Sequence, residues 1–324
     1  MNFIRKRILI YCLVLFFVLN LEFILPRLAQ GSAAAILAGG NRMAPDAQQL
    51  IIARFGLDKP LYVQYFLFLK GVFSWPPDFG LSYAFYPQSV TTLFLQRLPW
   101  TLLLIITSLT LSILISTSLI TYLALRRGGK FELGFLYSTV SLQGIPVYWV
   151  SMVLVWVFGS KLGWFPSFGS VAFNPGTGLS YIGSVLQHAA LPIIAMTGVL
   201  VAYQNLVLRG AMQEVLKSDY VLASKTRGLK NRTISRTYIL RNSLLPYVSQ
   251  LSFFWAQAIG VVILIEAVFG YNGVGDLIVD GIFNRDFPVV NGSLFFVSIL
   301  AIAGGLVGDL ILLRLDPRLK TGDK

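Results

Sequence analysis

The stretch Asp219–Pro246, "DYVLASKTRGLKNRTISRTYILRNSLLP", is basic, polar and rich in helix formers, yet it lies between two apolar segments. From Arg209 to Arg241 stand eight basic residues, Arg209, Lys217, Lys225, Arg227, Lys230, Arg232, Arg236 and Arg241, against only Glu214 and Asp219. The apolar run "LPIIAMTGVLVAYQNLVLR" before it continues without a proline into "GAMQEVLKSDYVLASKTR", which predicts one helix projecting out of the apolar layer. Gly228 breaks that helix, because glycine tolerates the left-handed backbone of a helix end, and Lys225 and Arg227 suit the negative C-terminal pole. A second short helix is predicted over about residues 231–244, with Ile234, Tyr238 and Arg241 on one stripe, and Pro246 is placed at the first turn of the next apolar segment. A short amphipathic helix held out on a glycine corner has two uses. It can plug a groove in a soluble partner, or it can lie on anionic lipid headgroups.

The rest of the chain decides what surrounds this arm. Of 324 residues, 56% are hydrophobic and 12% charged, about half the charge usual in a soluble domain. That composition indicates an all-α integral membrane protein. The net charge of +12 cannot be assigned to nucleic acid until its positions are known. Cys12, the lone cysteine, permits neither an intramolecular disulfide nor a cysteine-based metal cluster.

Apolar segments of about 20 residues, the length that crosses a hydrocarbon core, occur near residues 8–25, 100–125, 133–158, 189–208, 247–268 and 290–313. Six transmembrane helices are expected. The first follows Arg5-Lys6-Arg7 and precedes small residues, as a signal peptide does, but its apolar run is long for one and an uncleaved anchor is expected. With six spans, eighteen Lys/Arg fall on the side of the termini and the Asp219–Pro246 arm, and eight on the other. The positive-inside bias then places both termini and the arm in the cytoplasm, accounts for the net charge, and removes the nucleic-acid reading. Residues 26–99 form a large extracytoplasmic loop, and the stretches near 159–188 and 269–289 cap the outer mouth of the bundle. The chain thus divides into a tail and first span (1–25), this loop (26–99) and a core (100–324) carrying the cytoplasmic loop 209–245.

Several chemistries are unsupported. "RRGGKFE" lacks the first glycine and the Ser/Thr of a phosphate-binding loop, and His188 is the only histidine. No hydrolase motif and no metal-ligand spacing is present, so the chain is expected to be no enzyme and to hold no cofactor or metal of its own. Glu22, Glu266 and Asp309 are ionisable groups within apolar spans. Each is near a span end, where it can pair, reach water, or line a path across the membrane. Trp149, Trp156, Trp164, Tyr148 and Phe158 crowd the third span and its outer end, as an interfacial belt or as contacts for a bulky ligand.

The arm resembles the cytoplasmic loop of the permease subunits of ATP-driven, binding-protein-dependent importers, in the dipeptide, oligopeptide and nickel branch. The matching residues are Asp219-Tyr220-Val221, Gly228-Leu229, Arg241-Asn242 and Leu244-Leu245-Pro246. The likeness extends to "HAALP", "RFGLDKPLYVQY", "LGWFPSFG", "IEAVFGYNGVGDLIVDGIFNRDFPVVNG" and "LDPRLK", nearly the whole chain. Three places differ from the family pattern. Leu222-Ala223-Ser224 stands where the superfamily has Glu-Ala-Ala, Asn272-Gly273-Val274-Gly275 replaces Pro-Gly-x-Gly, and "LAQGSAA" replaces Leu-Ala-Pro-Gly-Asp-Pro.

The resemblance implies a type I ABC importer permease fold in the plasma or inner membrane. It implies coupling to two ATPase subunits, which bind the ATP and Mg, through Asp219, Tyr220, Ala223, Gly228, Leu229, Ile234, Tyr238, Arg241, Asn242 and Pro246. It also implies a homologous second permease and an extracytoplasmic solute-binding protein. Glu266, Gly273, Gly275 and Asp309 are candidates for the pathway or its outer gate. Substrate stays open among peptides, oligosaccharides and nickel, and a stand-alone secondary carrier is the reading from another class.

Overall fold

A computed structural model describes residues 3–28, 58–124 and 130–315. The sequence departure at 29–34, much of the loop expected at 26–99, the glycines of "RRGGKFE" and the tail after Leu315 lie outside the described residues. The described residues form helices and one isolated antiparallel bridge, Leu81 with Ser89.

In chain order the helices are α1 (Phe3–Leu28), α2 (Leu61–Val72), α3 (Val90–Ala124), α4 (Lys130–Gly144) and α5 (Val147–Leu154, continued with π spacing over Val155–Lys161). There follow α6 (Leu179–Leu216), α7 (Asp219–Thr226), α8 (residues 231–248), α9 (Leu251–Phe269), α10 (Val274–Phe283) and α11 (Phe287–Leu315). Among the described residues, five stretches are long and apolar enough to cross a membrane, Arg5–Ile24, Val90–Tyr122, Leu179–Leu216, Leu251–Phe269 and Phe287–Leu315. A sixth is formed if the bent pair Tyr137–Gly144 and Val147–Lys161 is one span.

Three spans differ from the sequence expectation. The third is not one helix over 133–158: it bends by 98° at Ile145-Pro146, because proline has no N–H to give and disfavours helical backbone at the residue before it. The second begins at Val90 rather than near 100, and the fourth at Leu179 rather than near 189. Their 35 and 38 residues extend about 50–57 Å at 1.5 Å per residue, well beyond a hydrocarbon core of about 30 Å. Hydropathy therefore registers only part of each, the later portion of the second and the middle of the fourth.

By packing, the chain forms two compact units. Of the described residues, the first contains 3–28, 58–101 and 272–302. Its core joins Leu19, Val72, Phe79, Val90, Leu93, Leu277, Val289 and Phe295. Phe94 stacks on Phe296 with ring centres 4.5 Å apart, and Gly292 lets α11 approach so closely that a Cβ there would stand 2.5 Å from Val90 and 2.9 Å from Phe79.

Of the described residues, the second unit contains 102–124, 130–271 and 303–315. There α6 packs against α4, α5, α8 and α9. Helices α9 and α11 meet at small residues: a Cβ on Gly304 would lie 2.0 Å from the Trp255 indole nitrogen, and one on Gly308 would crowd Ser252. Lipid tails are as apolar as leucine, so such close backbone approach, with the hydrogen bonds it allows, is what holds helices together in a membrane. Ser252 Oγ is within hydrogen-bond distance of Gly305 O at 3.0 Å and Asp309 Oδ1 at 3.1 Å.

Candidate functional site

The arm begins where α6 ends at Leu216. Helix α7 starts at Asp219, whose carboxylate suits the positive N-terminal pole. It ends in a glycine corner with paired bonds: Gly228 N–H donates to Lys225 O at 2.9 Å, and Leu229 N–H to Ser224 O at 3.3 Å. This is the two-bond left-handed helix stop, and it requires the φ of +73° found at Gly228. An added Cβ at Gly228 would meet nothing within 4 Å, so the need for glycine here is conformational and not steric.

Helix α8 follows. It opens at Asn231–Thr233, widens to π spacing over Ile234–Leu240 and returns to α spacing over Arg241–Val248. The wider spacing changes which residues share a face. Ile234, Ser235, Ile239, Ser243 and Tyr247 form the buried stripe, while Tyr238 is half-buried and Arg241 exposed. The expected stripe of Ile234, Tyr238 and Arg241 is therefore not one face, because it assumed 3.6 residues per turn throughout. Pro246 lies inside α8, and the next span starts at Leu251 after a break at Ser249-Gln250.

Of the residues the sequence singled out, Asp219, Tyr220, Ala223, Gly228, Leu229, Arg241, Asn242 and Pro246 are exposed. Ile234 is 3% exposed and belongs to the chain's own core, with Val221, Ile239, Tyr247, Leu208, Met212, Ile120 and Phe254. Asn242 donates to Tyr238 O at 2.8 Å and so supports its own helix. The outward face carries Lys225, Arg227, Lys230, Arg232, Arg236 and Arg241, all exposed, interleaved with exposed Leu222, Leu229 and Leu245. It is a basic surface with apolar points on a rigidly cornered support.

One buried chain of hydrogen bonds was not visible in the sequence. Tyr247 OH donates to Gln204 Oε1 at 3.0 Å, and Gln204 Nε2 donates to Ser112 Oγ at 3.0 Å. Ser112 Oγ donates in turn to Leu109 O at 2.8 Å. Tyr247, Gln204 and Ser112 are each at most 1% exposed.

The pathway and gate candidates separate into the two units. In the second unit Glu266 is fully buried near the end of α9, which stops at left-handed Gly270 with Tyr271 N–H donating to Glu266 O. Asp309 is 5% exposed and within hydrogen-bond distance of Ser252. In the first unit Glu22 is 3% exposed. All three carboxylates are covered by protein.

Gly273 and Gly275 lie buried at the start of α10, in the first unit, where Val274 N–H donates to Thr101 Oγ1 at 2.8 Å. Beside them Arg97 pairs with Asp276 at 3.0 Å. Burial holds the Asp276 carboxyl above the ordinary carboxylate range, Asp280 adds to this, and Arg97 pulls the other way.

Asp286 was missed, although Asp just before Phe287-Pro288 is a helix-start signal. Its Oδ1 takes the Val289 N–H at 3.3 Å as a helix cap, and its Oδ2 accepts from Ser82 Oγ, Tyr83 N–H and Ala84 N–H. Among the described residues no cluster of three or more His, Cys, Asp or Glu could hold a metal.

Comparison with known proteins agrees with this architecture. Residues 116–321 match the family described as binding-protein-dependent transport system inner membrane component, and residues 1–105 match the N-terminal family of the same membrane components. The chain is 29% identical to the oligopeptide transport system permease protein AppB of Bacillus subtilis over 98% of this chain and 99% of that one. It is 30% identical to the oligopeptide transport system permease protein OppB of Haemophilus influenzae, over 99% of both chains. It is 29% identical to the di/tripeptide transport system permease protein DppB of Pseudomonas aeruginosa, again over 99% of both. This is a transport-permease family rather than an enzyme family. The chain is an all-α, multi-pass membrane protein that belongs to the binding-protein-dependent transport system inner membrane components, the permease subunits of ABC importers.

Proposed function

We propose that this permease forms half of an oligopeptide or dipeptide pathway and takes its drive through the arm from Asp219 to Pro246. Both termini and the arm face the cytoplasm, on the charge bias of the loops, and residues 26–99 face outward. The arm's exposed face, with Asp219, Tyr220, Ala223, Gly228, Leu229, Arg241, Asn242 and Pro246, seats in a cleft of an ATPase subunit. Ile234 and Tyr238 support that face from beneath. Two ATPase subunits bind the ATP and Mg, a homologous second permease completes the path, and an extracytoplasmic binding protein delivers the solute. The chain itself supplies a path and a lever and carries out no bond chemistry. The peptide assignment follows the relatives, whose names specify oligopeptide and di/tripeptide transport. Glu266, Gly273, Gly275 and Asp309 are the pathway and outer-gate residues of this reading.

The observation that carries the proposal is the arm's two-sidedness. One face is locked into the chain's own core, and the other presents six exposed cations with apolar points on a glycine-cornered support. Such a shape transmits force only if something soluble grips it. The test is co-purification of the ATPase with Arg232→Glu/Arg236→Glu, in membranes where the variant inserts at the wild-type level. Loss of the ATPase supports the reading, and undiminished recovery contradicts it.

A further inference from the structure

We infer that Tyr247, Gln204 and Ser112 form a positioning relay that makes α3 and α6 move with the arm as one piece. The inference rests on the coupling reading above. Beyond it, α8 meets the bundle through apolar side-chain packing and through a longer contact of Ser235 Oγ to Thr121 O at 3.4 Å. Apolar contacts have no direction, and helices packed only through them can slide or rotate past one another at small cost. Hydrogen bonds are lost within a few tenths of an ångström, and in a water-free interior a broken one leaves both partners unsatisfied.

Three features set these residues apart from ordinary buried polar groups. First, the chain of donors is complete: Tyr247 gives to Gln204, Gln204 to Ser112, and Ser112 to Leu109 O, with no hydroxyl left over. Second, Ser108 and Ser116, one turn to either side of Ser112 on the same face of α3, are buried with no hydrogen-bond partner among the described residues. Of these three serines, Gln204 engages one, and Tyr247 engages Gln204. Third, the chain joins three separate helices, with Tyr247 at the membrane end of α8, Gln204 within α6 and Ser112 within α3. The Ser235–Thr121 contact adds a second attachment to α3, nine residues further along it. That is about 13 Å along the helix axis. A strut fixed at two heights cannot pivot about either one.

The experiment measures spin-label distances in the assembled transporter in nanodiscs, in a Cys12→Ser background. Labels are placed at Leu114→Cys on α3, 59% exposed, and Thr237→Cys on α8, also exposed. With the relay intact, one narrow distance is expected, unchanged between the nucleotide-free and the ATP–vanadate-trapped states. Tyr247→Phe removes a single oxygen and keeps the ring, so it preserves packing. With it, or with Gln204→Met, the distribution should broaden, and uptake per ATP hydrolysed should fall about two- to tenfold, the range expected from losing one buried hydrogen bond. A distance in the wild type that shifts on trapping, or a distribution in Tyr247→Phe identical to the wild type, overturns the relay. If no ATPase co-purifies even with the wild-type chain, the coupling reading itself has failed, an outcome distinct from a relay that fails in an assembled complex.

Discussion

Ser82 donates its hydroxyl to Oδ2 of Asp286 at 2.5 Å, across 204 residues of sequence. The same oxygen accepts the Tyr83 and Ala84 N–H groups at 2.8 and 2.9 Å, while Oδ1 caps α11 through Val289 N–H. One fully buried carboxylate therefore starts a membrane helix and clamps the loop before α3. Asp286→Ala leaves a hydroxyl and three N–H groups without their acceptor, and should cost on the order of 3 kcal/mol. Thermal unfolding in detergent, with limited proteolysis between Phe73 and Ser89, checks it. A loop as resistant as wild type would show that the clamp is dispensable.

Arg97 and Asp276 give a pH-dependent prediction. A carboxyl raised above its ordinary range contributes stability that is fully present below its unfolded-state pKa and is lost as pH rises through its folded-state value. Arg97 opposes the raising effects of burial and Asp280. Removing it in Arg97→Met raises Asp276 further. The variant should lose about 1–3 kcal/mol near neutral pH and clearly less near the unfolded carboxylate value of about 4. Melting temperatures across that range test the sign. A loss that grows on acidification would contradict the assigned balance.

Gly304 tests the α9–α11 contact. Because an added Cβ would lie 2.0 Å from the Trp255 ring, Gly304→Val should destabilise by about 1–3 kcal/mol through overpacking. Pairing it with Trp255→Ala should recover part of that loss, since the substitution removes the atoms that clash. Additive losses in the double variant would indicate a different cause.

Gly228 separates backbone strain from bulk. Open space surrounds it and its φ is +73°, so Gly228→Val should cost about 1–2 kcal/mol of left-handed strain. Gly228→Asn should cost less, because asparagine visits that region. ATPase recovery should follow the order Gly, Asn, Val. Equal recovery with Val and Asn would remove the conformational argument.

How much of this was legible in the sequence varied with the range of the interaction. The spans could be read because hydropathy is a local sum, and the Gly228 corner because helix-stop chemistry involves only the neighbouring residues. The bend at Ile145-Pro146 was passed over, since the apolar composition continues through it although the backbone cannot. The π spacing over Ile234–Leu240 left no pattern that a 3.6-residue count detects, so Arg241 was put on a face with the buried Ile234. Asp286, Tyr247 and Gln204 take these roles from partners 43 to 204 residues away. Only the helix-capping half of Asp286 left a local trace, in the proline two residues on.

The central claim, that the outward face of Asp219–Pro246 is gripped by an ATPase subunit, is tested most directly by site-specific cross-linking in inner-membrane vesicles. Single cysteines replace exposed Arg232 or Arg236, or buried Ile239, in a Cys12→Ser background, with the ATPase subunits co-expressed. The account predicts a permease–ATPase adduct from positions 232 and 236 and none from position 239. Absence of adducts at both exposed positions, in vesicles whose ATPase still co-purifies with the permease, would contradict it.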